Sequence, residues 1–219
     1  MLTLDELKKI DKIEYLRDVE LGLMCDYYED VFLPIEIKYE VRDLGAISLT
    51  FEKAHFAHLL GLHYIATTAQ FRGVKAWEGM RDGTHTLEKY KGVRPGYGSL
   101  SSRVQYFPSL IKALNNPFAC MYNAKNVETG KRGEPILVAD FIVYDEVNRK
   151  FIHLGLSKYR PDKLKCFPRS FFPRDDDTYI AGQTPLAIVD RWITQREGRI
   201  PEQHLDTGVC VVVEQKRST

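Results

Sequence analysis

The chain lacks most of the features that would make its chemistry easy to name. Its 219 residues contain no run of about 18 apolar side chains, which excludes a helical membrane span. The four cysteines, Cys25, Cys120, Cys166 and Cys210, form no CxxC half-site, so a zinc knuckle is not expected. No Walker loop, GxGxxG fingerprint or GxSxG elbow is present. The familiar phosphate-cradling and nucleophile-elbow motifs therefore give no lead, and no cofactor or metal is expected. Net charge is scarce too, at +1, which argues against nucleic-acid binding through bulk charge. The amino terminus, MLTLDELKK, carries charges where a secretory signal has its apolar stretch. A cytoplasmic protein with reduced, structural thiols is the expectation.

What is present is a 44% apolar composition, enough for a substantial core, and an uneven charge distribution. Residues 1–33 hold nine acids against four bases, whereas residues 149–174 hold eight bases against Asp162 alone. Residues 67–116 add eight bases against three acids. Such asymmetry suits an anionic ligand near the basic segments; the competing reading is a set of solvated strand edges and loops.

Thr3 and Glu6 form a capping box, and the apolar positions Leu4, Leu7, Ile10, Ile13 and Leu16 predict a helix from about 4 to 30, ended by Pro34. The period then changes to two, and 35–51 reads as a β-hairpin turning at Asp43 and Gly45. Helical spacing returns over 52–65, short helices are expected near 75–81 and 84–91, and a longer one over 99–114. After Pro117 strands are expected at about 118–124, 135–145, 150–158 and 165–172, with turns at Glu128–Gly133 and Asp145–Lys150. Leu186–Trp192 reads as a strand or a helix start, and Val209–Glu214 as a final strand. The fold class expected is α+β: a helical N-terminal half with an inserted hairpin, packed on a C-terminal antiparallel sheet of about four strands. The expected divisions are an N-terminal helix (1–34), a main domain (35–190) and an extension (191–219).

Two clusters carry residues suited to chemistry. HFAHLLGLH holds His55, His58 and His63. On one ideal helix His63 would share the apolar face of Phe56, Leu59 and Leu60, and His58 would point away from it. An accessible imidazole gives or takes a proton near neutral pH; one on an apolar face is more often a hydrogen-bonded core residue. The second cluster is IHLGLSKYRPDKLKCFPRSFF. Lys158 would end a strand whose same-face neighbours are apolar, an odd place for an ammonium unless it meets a ligand, and His153 would lie on the other face. Arg169 and Ser170 beside Phe171–Phe172 suit a phosphate and a stacked base, with Arg103 and Tyr106 of the preceding helix adding a cation and a phenol. The alternative is that the phenylalanines are core and Arg169 is solvated. Asp175, Asp176 and Asp177 read as a solvated turn, since three consecutive acids cannot all point one way.

FEKAHFAHLLGLHYI after a short hairpin, then a YFP-containing helix, FIHLGL, CFPRSFF and YIAGQTPLAIV, resembles the phage-associated nuclease-like domains grouped with barnase, EndoU, certain tRNA-cleaving colicins and RelE. The likeness covers about residues 35–190 through an F-x-H-L-x-G-L-H and a P-x-S-F-F element. It implies a helical front half on a four-stranded antiparallel sheet and metal-independent RNA cleavage. The motif positions carried over are His58, His63, Lys158, Arg169 and Ser170 as catalytic residues. Arg103, Tyr106, His153, Phe171 and Tyr179 stand as substrate contacts. Cleavage through the 2′-hydroxyl needs a base, an acid and cations, all of which these side chains supply. The expected function is a metal-independent RNA endonuclease, a toxin or effector of a phage or mobile element, with an antitoxin or immunity protein as a further partner. Two readings compete: a nuclease-like fold that binds RNA or protein without cutting, and an enzyme acting on another anion such as a nucleotide.

Overall fold

The structure of the protein is a computed structural model that describes residues 1–94, 96–115, 117–127 and 137–196. The first 34 residues form two helices rather than one: α1 (Leu4–Leu7) and, after a 3-10 turn at Leu16–Asp18, α2 (Leu21–Val31). The capping box of Thr3 and Glu6 starts α1 as expected. The helix does not continue because Ile13 is buried elsewhere, its amide donating to the Gln105 carbonyl at 2.9 Å. A long-range contact overrides helical periodicity here.

The hairpin expected at 35–51 is present, with β1 (Ile35–Val41) antiparallel to β2 (Gly45–Thr50). Next come α3 (Lys53–Leu59), 3-10 turns at Leu62–Tyr64 and Ala69–Phe71, α4 (Gly73–Arg81), α5 (Leu87–Tyr90), α6 (Gly96–Tyr106) and α7 (Leu110–Ala113). The helix expected over 99–114 is broken at Phe107–Ser109, where Pro108 has no amide to continue the ladder. The strands that follow are β3 (Phe118–Met121), β4 (Phe141–Val147), β5 (Lys150–Lys158), β6 (Lys165–Arg174), β7 (Thr184–Leu186) and β8 (Ile188–Gln195). Asn148 and Arg149 both have positive φ, the geometry of a two-residue hairpin turn between β4 and β5.

The class is α+β, but the expectation of about four antiparallel strands is overturned. One sheet of eight strands runs in the order β7-β3-β4-β5-β6-β2-β1-β8. It is mixed, because β2 joins β6 in parallel through Ser48↔Lys165 and Leu49↔Cys166. The N-terminal hairpin is thus part of the C-terminal sheet, not an insert packed on it. The two edge strands, β7 and β8, are separated in sequence by Ala187 alone, so the sheet must roll until its edges nearly meet. β8 runs across the division expected between residues 190 and 191, and α2 packs into the same core as the sheet. The turn expected at 128–133, the start of the strand expected at 135 and the strand expected at 209–214 lie outside the described residues.

The core is aromatic where helices meet sheet. Tyr28 of α2 stacks on Phe56 of α3 at 4.5 Å between ring centroids, and Phe107 meets Phe171 of β6 edge-on at 5.3 Å. Burial of such rings supplies most of the packing energy and fixes α3 against the sheet. Cys25, Cys120 and Cys166 are buried free thiols. Among the described residues, no helix is long and apolar enough to cross a membrane.

Candidate active site

Phe56 anchors α3 in the core, which leaves His55 and His58 directed away from it. The helix stops at Leu59 because Gly61 adopts φ +82°, a left-handed conformation that favours glycine. His63 therefore sits on the next 3-10 turn, not on the apolar face of α3 as one continuous helix would place it. The break folds the chain back so that the His58 and His63 rings stack in parallel, 3.9 Å apart and 9° from coplanar. Tyr64 packs against His63 with ring centroids 4.0 Å apart and the planes tilted by 40°.

Gly61 has a second role. A Cβ there would stand 3.0 Å from Cδ of Arg103. Arg103 comes in from α6 and is almost wholly buried. Its Nη1 donates to the Leu59 carbonyl at 3.0 Å, its Nε to the Ser99 hydroxyl at 3.1 Å, and its guanidinium lies over the Tyr64 ring. Gly96 lets α6 approach this closely, since a Cβ there would fall 2.3 Å from the Tyr64 carbonyl oxygen. Desolvation lowers the Arg103 pKa to about 10, so it stays charged at neutral pH. Among the described residues no carboxylate pairs with it.

Strand β6 adds the opposite wall through a bulge. Gly155 of β5 pairs with Ser170 and Leu156 with Pro168, so Arg169 faces no partner. An extra residue in one strand changes the phase of everything beyond it. Phe171 turns into the core, while Ser170 and Phe172 turn out beside Arg169. The ring of the P-x-S-F-F element that lines the cavity is thus Phe172, and Phe171 is packing.

These walls enclose two adjoining cavities of about 490 and 410 Å³. His58, His63 and Arg169 line both, so the histidine pair is the partition between them. The first also takes Arg103, Ser99, Ser102, Ser170, Phe172, Arg174 and Tyr179; the second takes Arg72, His55, Phe71 and Phe167. Among the described residues no Asp or Glu lines either one. Burial is the main cause that lowers the pKa of His58 to about 3 and of His63 to about 4; Arg72, Arg103 and Arg169 push in the same direction. Both imidazoles are neutral at pH 7, in a positive field. The Nδ1 of His63 is buried with no hydrogen-bond partner among the described residues. Arg174 is held by Asp176, with Nη2 at 2.9 Å from Oδ2, so that acid belongs to an ion pair.

The remaining expected residues lie elsewhere. Lys158 lines neither cavity; its ammonium rests over the Phe141 ring and its amide donates to Asp140. Tyr106 is in the main core. His153 is fully buried behind Phe172, stacked on it at 4.8 Å, with Nδ1 against the Phe172 carbonyl at 3.2 Å. It supports the cavity wall without reaching the cavity. Arg72, Ser99, Ser102 and Tyr64 were not singled out from the sequence, and of the Phe171–Phe172 pair it is Phe171 that the sequence reading names as the contact. For Arg72 the only signal was its place in a basic stretch. Among the described residues no group of three His, Cys, Asp or Glu side chains is placed to hold a metal ion.

No curated protein and no solved structure matches the chain. A family model does, over residues 24–196, a span that takes in most of α2, the whole sheet and every described wall residue of the two cavities. With most of its length so matched, the chain belongs to the family described as phage-Barnase-EndoU-ColicinE5/D-RelE like nuclease4.

Proposed function

We propose that this nuclease is an endoribonuclease that cleaves through the 2′-hydroxyl of its substrate. The observation that carries the reading is the groove itself. Two neutral, stacked imidazoles stand among Arg72, Arg103 and Arg169, with no carboxylate among the described residues of the lining. A neutral imidazole takes the 2′-hydroxyl proton as the O2′–P bond forms. The guanidiniums and the Ser170 hydroxyl hold the phosphorane oxygens, where charge accumulates. As P–O5′ breaks, the leaving oxygen needs a proton, which the second imidazole delivers. That imidazole becomes protonated when the phosphate brings negative charge among the three arginines, because an opposite charge favours the cationic form. His58 is the first choice as base, with His63 as its partner.

A toxin or effector role, with an antitoxin or immunity protein as partner, extends this reading and rests on the family's phage association. The test is purified protein on total tRNA and mRNA with EDTA present. Fragments ending in 2′,3′-cyclic phosphate are expected, and His58→Ala should cut about 10²–10⁴-fold more slowly while binding RNA nearly as well. No cutting by folded protein, or cutting only with a divalent metal, would overturn the mechanism.

A further inference from the structure

We infer that the second cavity is a nucleobase site in its own right, so that the substrate is an unpaired RNA strand of at least two nucleotides laid across the histidine pair. The inference rests on the reading of the groove as an RNA-cleaving site and specifies what the strand must look like. A single nucleotide would be served by the first cavity alone, where Phe172 and Tyr179 offer rings and Arg103 a cation. The second cavity repeats that provision on the far side of His58 and His63. Phe167 stacks on His55 at 5.3 Å, Phe71 adds a further ring to the lining, and Arg72 supplies a cation. The Nδ1 of His55 accepts the Glu52 amide at 3.2 Å, which holds that ring in place as part of the wall. Arg72 is the N-cap of α4, and Gly73, the helix's first residue, also lines this cavity, so the positive end of the helix borders the same space.

The volumes of about 490 and 410 Å³ each fall within the range of small-ligand pockets, roughly 300–1,000 Å³. Because Arg169 and the two imidazoles line both cavities, a phosphate at the partition has one base on either side of it. Paired and stacked bases of a duplex cannot enter two walled cavities at once, whereas splayed bases of a single strand can, each against an aromatic ring. A phosphodiester at the partition is then flanked by both of its nucleosides, as strand cleavage requires.

The experiment measures binding, so it does not depend on turnover. The probes are a dinucleotide carrying 2′-fluoro in place of the reacting hydroxyl, and the corresponding 3′-mononucleotide. The wild type should bind the dinucleotide at least about tenfold more tightly, the gain that one stacked base brings. Ala54→Leu, which fills the second cavity without removing a charge, and Phe167→Leu should each erase that gain and leave mononucleotide affinity within about twofold. Thermal melting confirms that both variants fold. A dinucleotide that binds no better than the mononucleotide, or a gain that survives both substitutions, would overturn the inference. A parallel fall in mononucleotide affinity would also overturn it, since the second cavity would then not be separate. Failure to cut RNA in the EDTA assay, by contrast, counts against the cleavage chemistry and leaves this binding comparison to be decided on its own result.

Discussion

His58 and His63 have the same side chain as any surface histidine, yet their surroundings remove the charge that most histidines gain near pH 6.5. Desolvation acts first, and the nearby guanidiniums act with it. Protonating either ring adds a fourth cation beside Arg72, Arg103 and Arg169, with no carboxylate among the described residues of the lining to offset it, so the charges act with burial to keep both rings neutral in the free protein. The sign reverses when an anion enters, because a phosphate cancels the arginine field and favours imidazolium. Histidine ring resonances followed by NMR should therefore show His58 and His63 titrating near pH 3 and 4 in the free protein. Saturation with a 3′-mononucleotide should move at least one of them upward by about 1–3 units. Midpoints near 6.5 without ligand, or no upward movement with it, would show that the field around the pair is not what the packing implies. His153 is also depressed, to about 4, chiefly by burial. Because it lies behind Phe172 rather than in a cavity, its titration should be insensitive to the ligand, which makes it an internal control.

At the scale of elements, the site is made by interruptions of regular structure: the left-handed Gly61 that ends α3, and the bulge at Arg169 in β6. Gly61→Ala must adopt φ +82° with a Cβ about 3.0 Å from Arg103. Strain of that kind costs roughly 1–3 kcal/mol. Urea denaturation should show a loss in this range together with a weaker hold on RNA, because Arg103 must yield; unchanged stability would mean that the turn relaxes freely. These interruptions also explain what was legible in the sequence. The hairpin at 35–51 and the strands near 118, 150 and 165 follow from period-two patterns, and His58, His63, Arg169 and Ser170 stand in compact motifs. Three things did not follow. Helical periodicity carried His63 to the wrong face, because it does not register a single left-handed glycine. Of the Phe171–Phe172 pair the sequence reading names Phe171 as the substrate contact, because a one-residue bulge, which decides which ring turns outward, leaves no mark in the sequence. The parallel joint between β2 and β6 depends on contacts more than 110 residues apart, about which local pattern is silent.

For the whole molecule, the question is which of the many cations matter to an anionic strand. Four of the eight bases in the densest basic stretch, 149–174, are paired or point elsewhere: Lys150 pairs with Asp175, Arg174 with Asp176, Lys163 approaches Asp162, and Lys158 covers Phe141. The fold instead gathers one guanidinium from each of three distant segments, Arg72, Arg103 and Arg169, and leaves all three without a carboxylate partner among the described residues. Local charge density along the chain is therefore a poor guide to the field in the groove. Each cation that neutralises a phosphate of single-stranded RNA contributes about −0.7 to the slope of log affinity against log salt. Three such contacts give a slope of about −2, or roughly a 20-fold loss between 50 and 200 mM salt. Measured by fluorescence anisotropy on a short single-stranded RNA, Arg169→Gln should weaken binding and reduce that slope by about 0.7. Lys158→Gln should change neither, since its ammonium faces no part of the groove. Equal effects from the two substitutions would return the binding surface to the basic segment as a whole and leave the cavities without their special claim.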